Sequence, residues 1–166
     1  MSNGSLQRIY LDTNVYARSF DDQTQPTIQT EANAFLEIIQ AIEAQKLVLL
    51  SSDILTFEVD NILDSNKRTK VETYLKLCNE HIDSSDEILH LGKQIQSDCH
   101  LRPRDALHIA SAIVGQARYF LSCDRKVAQI EQVRCYRRFA RTYRQTYFSV
   151  MNPVLFVEKL QKGDLE

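Results

Sequence analysis

Glycine is scarce in this chain, with four in 166 residues, and none falls in a GxGxxG or GxxxxGKS/T pattern. A glycine-rich loop cradling a nucleotide is therefore disfavoured. No apolar run approaches the roughly 18–20 residues that a membrane-spanning helix needs. The opening "MSNGSLQ" lacks the basic segment and apolar stretch of a secretory signal, so the expected location is cytoplasmic and no membrane partner is expected. The formal net charge is only −2, so any case for a polyanionic partner must be local. Cys78, Cys99, Cys123 and Cys135 form no CxxC pair, which argues against a zinc knuckle and a thioredoxin-type motif. With no secretory signal they are expected as reduced structural thiols.

The remaining composition, 43% hydrophobic and 25% charged, is that of a globular protein, and the length suits one domain over 1–166. "RIYL" (8–11) and "LVLLS" (47–51) read as short buried strands, as does "RYFLSC" (118–123). Helical periodicity runs through 30–46, and "SSD" (51–53) offers caps for a helix through "ILTFEVDNIL". Further helical segments are expected near 67–80, 84–98 and 102–117, the last with a proline at its start. "VMNPVLFVEKL" (150–160) predicts a last strand, a break at Asn152-Pro153 and a closing helix. Strands alternating with helices indicate an α/β fold with a mainly parallel sheet, in which ligands sit at the carboxyl ends of strands.

Two of the three clearest strands end on an aspartate, Asp12 and Asp124. Each has an ordinary explanation as a helix cap, Asp105 has one as a first-turn acid, and Glu58 has one as a solvent-facing helical residue. On the inferred fold, however, the four converge. Two carboxylates ~4 Å apart repel by about 4 kcal/mol at an effective dielectric near 20. Such a cluster persists when it is partly protonated or when it holds a divalent ion, and oxygen ligands suit Mg²⁺ or Mn²⁺ rather than zinc. The chemistry that follows is metal-assisted phosphodiester hydrolysis.

"IYLDTNV", "SSDILTFEV", "RPRDALHIASA" and "FLSCDRKV" resemble, in order, the four acidic motifs of PIN-domain nucleases. The spacings Asp12–Glu58, Glu58–Asp105 and Asp105–Asp124, at 46, 47 and 19 residues, also suit that family. "DALHIASA" is the most specific string and "LDTN" the weakest. The resemblance implies a PIN-like three-layer α/β/α sandwich and an endoribonuclease similar to the VapC-like toxins of toxin–antitoxin pairs. It makes Asp12, Glu58, Asp105 and Asp124 the catalytic and metal-binding set for one or two Mg²⁺ or Mn²⁺ ions. Asn14 and Ser122 then match polar positions that orient the cluster or the substrate. An RNA substrate, a protein antitoxin and a homodimer are the partners it implies.

His108 shares a helix face with Asp105 on an otherwise apolar helix, and a core or supporting position suits it better than substrate contact. Asp60 could stand in for Glu58, but i and i+2 point to different faces, and Glu58 alone has the motif spacing. No GxSxG elbow supports a serine triad. The segment "VRCYRRFARTYRQTYFSV" (133–150) departs from the plain family pattern. It reads as a helical insertion over about 131–147, with Arg134, Arg137, Arg138, Arg141 and Arg144 beside an aromatic stripe of Tyr136, Phe139, Tyr143 and Tyr147. An amphipathic helix with its aromatics in the core, an RNA-backbone contact and a protein interface are all compatible with that pattern. Two rivals to the nuclease remain open: an inactive PIN-fold scaffold for RNA or protein, and a metal-dependent phosphatase or DNA-directed nuclease.

Overall fold

A computed structural model describes residues 5–143 and 147–166. Five strands, β1 (Gln7–Leu11), β2 (Leu47–Ser52), β3 (Glu80–Ile82), β4 (Tyr119–Leu121) and β5 (Ser149–Met151), form one sheet in the order β3-β2-β1-β4-β5. Every pairing is parallel. The chain builds outward from β1 to β2 and β3, then returns to the other side of β1 for β4 and β5. The strand order reverses at the β1–β4 boundary, which is where open parallel sheets place their ligands.

Helices cover both faces. α1 (Thr13–Ala17), α2 (Pro26–Glu43), α3 (Asp53–Asp60), α4 (Ser65–Leu75), α5 (Asp86–Asp98), α6 (Pro103–Val114), α7 (Ile130–Thr142) and α8 (Pro153–Lys162) connect or follow the strands. Alternate strand residues enter opposite cores, as a pleated strand requires. Ile9, Leu11, Leu49, Tyr119 and Leu121 pack with Phe35 and Ile38 of α2 and Phe156 of α8. Tyr10, Leu50, Phe120 and Val150 pack on the other face with Ile95 of α5, Ile109 of α6 and Tyr136 of α7. Burial on both faces explains why these strands read as unbroken apolar runs. The three-layer α/β/α expectation is borne out.

Local signals set the helix starts. Ser52, Asp64 and Ser85 each accept a backbone N–H of the helix they cap, and Asn152 does so for α8 just before Pro153. The Asn152 amide also donates to Glu31, a buried carboxylate on α2 that Arg18 neutralises. The Asn-Pro break thus locks the last helix against α2.

Three expectations need correction. β3 and α1 were not anticipated: "EHI" is short and largely exposed at the sheet edge, and α1 is only five residues long. The arginine-rich helix ends at Thr142, so Tyr147 lies beyond it, and Arg144 falls outside the described residues. Cys99 and Cys135 are joined in a disulfide, leaving Cys78 and Cys123 free, instead of four reduced thiols. The pair is 36 residues apart and is brought together only by packing of α5 against α7, so no local pattern announces it. Unfolded, unreduced protein is expected to titrate with two accessible thiols, those of the two free cysteines, rising to four after reduction. Four thiols before reduction would show the Cys99–Cys135 bond to be open.

Candidate active site

Asp12 ends β1 and caps α1 at once. Its Oδ1 accepts the Thr13 amide at 2.8 Å, while Oδ2 accepts the Ser122 hydroxyl at 2.8 Å and the Asn14 amide at 3.2 Å. The Asn14 Oδ1 accepts the Cys123 amide, and the Ser122 Oγ accepts the Asp124 amide. Asn14 and Ser122 therefore stitch the ends of the adjacent strands β1 and β4 together beneath two of the acids. Asp12 is only 6% exposed. Burial pushes its pKa up, the nearby His108 and the Ser122 hydroxyl oppose that, and the charges of Asp105 and Glu58 add to the rise. A buried carboxylate held in this way gains most from a cation.

Glu58 projects from α3 toward the same edge, and Asp60 is exposed. Glu58 Oε1 accepts the Thr13 hydroxyl at 2.8 Å and is hydrogen-bonded to His108 Nε2. His108 is 1% exposed, and its Nδ1 lies 2.6 Å from the Tyr10 hydroxyl, itself 2.6 Å from Ser52 Oγ. Ser52, Tyr10, His108 and Glu58 thus form one continuous buried hydrogen-bonded chain, whose first member also accepts the Leu55 N–H. Burial acts to lower the His108 pKa, but the Glu58 hydrogen bond and the charges of Asp12, Glu58 and Asp105 turn the net direction upward. Burial acts to raise the Glu58 pKa, but the His108 and Thr13 hydrogen bonds and the Arg104 charge overcome it, and the net direction is down. Asp12 and Glu58 are thus pushed in opposite directions by their surroundings.

Asp105 opens α6 and Asp124 follows β4. Arg102 reaches both, through Nε to Asp105 Oδ2 at 3.1 Å and through Nη2 to Asp124 Oδ2 at 3.3 Å. Ligand atoms of Asp12, Glu58 and His108 lie within 4.8 Å of one another, close enough for one ion; Asp105 and Asp124 are not part of that group and are joined to each other through Arg102. Two carboxylates and an imidazole of this kind could hold a divalent metal ion. A cavity of about 470 Å³ lined by Glu58, Arg102, Pro103, Arg104 and Asp105 opens onto the group.

The PIN-domain family model matches residues 9–133. This chain belongs to the PIN-domain family. Among solved structures, it is similar to VapBC2 from Rickettsia felis, crystallised with a DNA fragment from the promoter. The TM-score is 0.56 at 13% identity, over 88% of this chain and 98% of that one, a likeness of fold. A comparison with curated proteins finds no match.

The basic segment of this PIN domain divides into two groups. The Arg137 Nε donates to the Phe148 carbonyl at 3.0 Å, so this arginine ties α7 to the strand beside it. Arg134, Arg138 and Arg141 are exposed, whereas Tyr136 is fully buried with its hydroxyl on the Val127 carbonyl. A second group with metal-ligand geometry, Asp53, His81 and Asp83, lies more exposed beside β3, where Asp53 pairs with His81 at 2.6 Å. In the sequence His108 stands out on its helix face, but nothing marks Tyr10 or Ser52, whose hydroxyls look like ordinary core and cap residues. Arg102 and Arg104 likewise carry no local signal of a role, although both precede Asp105 in "RPRD". Tyr10→Phe should lose about 1–3 kcal/mol of stability in urea denaturation, because Ser52 and His108 are left without their shared partner. An unchanged unfolding midpoint would mean that the buried chain of hydroxyls is not formed in solution.

Proposed function

We propose that this chain, read as one PIN-like domain, is a metal-dependent endoribonuclease acting through Asp12, Glu58, Asp105 and Asp124. The observation that carries the reading is the delivery of Asp12 and Asp124 by adjacent parallel strands to one sheet edge, with Glu58 within reach of the same ion as Asp12. One or two Mg²⁺ or Mn²⁺ ions bound there would lower the pKa of a water and offset charge on a scissile phosphate. The chain's own part is to hold the ligands still. Asn14 and Ser122 fix Asp12 and the Asp124 backbone, and Thr13 and His108 fix the Glu58 carboxylate.

A toxin role with a protein antitoxin follows from the family and from the likeness to a VapBC2 complex, and a homodimer follows from the family. Exposed Arg134, Arg138 and Arg141 offer a basic face for an RNA backbone; Arg137 is engaged in packing, and Arg144 enters only as the fifth arginine of the sequence pattern. No helix among the described residues is long and apolar enough to cross a membrane. A cytoplasmic location belongs to the same reading, and the Cys99–Cys135 bond is the feature at odds with a reducing compartment.

Purified protein is expected to cleave RNA in Mg²⁺ or Mn²⁺ and not in EDTA. Asp12→Asn and Asp105→Asn should each lower the rate by about 100-fold or more, beyond what loss of a ligand's supporting partner costs. Cleavage surviving both substitutions would remove the acidic cluster from the chemistry, and preferential cleavage of DNA in the same panel would overturn the RNA assignment. Reversing Arg134, Arg138 and Arg141 to glutamate should weaken RNA binding and flatten its salt dependence; an unchanged slope would take α7 out of the substrate path.

A further inference from the structure

Arg102 stands immediately before Pro103, with the extended backbone (φ −65°, ψ 150°) that a residue preceding proline favours. α6 begins at Pro103, so Arg104 and Asp105 follow in its first turn. The two arginines line the 470 Å³ cavity together with Glu58, Pro103 and Asp105.

The Arg102 side chain is 72% exposed, yet it bridges Asp105 and Asp124. It touches one oxygen of each, not both oxygens of either, so it lacks the paired geometry that makes an arginine–carboxylate contact strong. An ion pair this exposed is weak. Arg104 is also mostly exposed; its guanidinium lies 3.9 Å from Glu58 Oε2 and 5.5 Å from the centroid of the half-exposed Phe57 ring. The cavity therefore brings two partly buried carboxylates together with two exposed guanidiniums, and the Phe57 ring stands beside the Arg104 guanidinium.

A guanidinium and a divalent ion compete for the same carboxylates. Once an ion sits on Asp105 and Asp124, Arg102 faces like charge and loses its partners. The anion that can satisfy the ion and the guanidinium together is a phosphodiester, which the planar fork of arginine suits well.

We propose that Arg102 is a phosphate-anchoring residue, held on Asp105 and Asp124 until a divalent cation displaces it, with Arg104 and Phe57 forming the rim for the adjoining nucleotide. The proposal rests on the nuclease reading and adds the groups that hold the substrate at that site. It differs from the basic face on α7, because it places a positive charge within contact of the acids themselves.

The test uses two readouts other than turnover: calorimetric Mn²⁺ binding, and binding of a fluorescent RNA oligonucleotide in Ca²⁺ under conditions where the RNA is recovered intact. Arg102→Gln should bind Mn²⁺ about threefold more tightly, the scale of one exposed ion pair removed. It should bind RNA about fivefold more weakly, with the salt slope reduced by about 0.7, one single-strand phosphate contact. Arg102→Lys should keep the wild-type slope. Because the side chain is exposed, the variants are expected to unfold at the wild-type midpoint. Unchanged RNA affinity in Arg102→Gln overturns the anchor, even if Mn²⁺ binds more tightly, since Arg102 would then be a counter-ion only. Unchanged or weaker Mn²⁺ binding overturns the competition. Wild-type protein that takes up Mn²⁺ but binds no RNA overturns the nuclease reading itself, before any variant is compared.

Discussion

The pairing of β1 with β4 is the contact on which the site depends. It aligns Leu11 with Leu121, and the Asp12 amide extends it by donating to the Leu121 carbonyl at 2.9 Å. Just beyond, Asn14 and Ser122 replace backbone hydrogen bonding with a side-chain bridge. Two strands more than 100 residues apart in sequence thereby end in register, each followed at once or within a few residues by an aspartate.

The two cores make that register unambiguous. Side chains of β1 alternate between the α2–α8 core and the α5–α6–α7 core, so a slip by one residue would send Tyr10 into the wrong layer. Tyr10 in its present layer meets Phe120 in a stacked contact 5.2 Å between centroids and presents its hydroxyl to His108 and Ser52. Apolar packing and the polar chain that orients Glu58 therefore share one residue. Ser52 adds a second link, since the same oxygen caps α3, the helix that carries Glu58. The cluster is costly to form without cations, and the fold offsets this by supplying fixed donors around each acid.

Much of this was legible in the residues. The strands "RIYL" and "LVLLS" and the Asn-Pro start of the last helix carried strong local signals, because buried parallel strands are continuously apolar and a proline at a helix start is conformationally favoured. Asp12, Glu58, Asp105 and Asp124 could be singled out because strand ends and helix faces are periodic features. β3 was hidden because an exposed edge strand of three residues has no apolar pattern to show. The Cys99–Cys135 pairing, the Tyr10–His108 contact and the Arg102 bridge were hidden for a different reason: each joins distant elements, and which side chains meet is decided by packing that no local period records.

The strand order also sets a timetable. β1 is central in the sheet but is made first, and one of its two flanking positions stays vacant until β4 arrives more than 100 residues later. During synthesis the half of the chain that ends with β3 can assemble around β2, while Asp12 still lacks Ser122, Asp105 and Asp124. Long-range parallel pairing closes slowly, and domains complete their packing only when the last elements emerge. A nascent chain on the ribosome, surrounded by RNA, therefore carries no finished acidic centre until β4 and Asp124 have been translated.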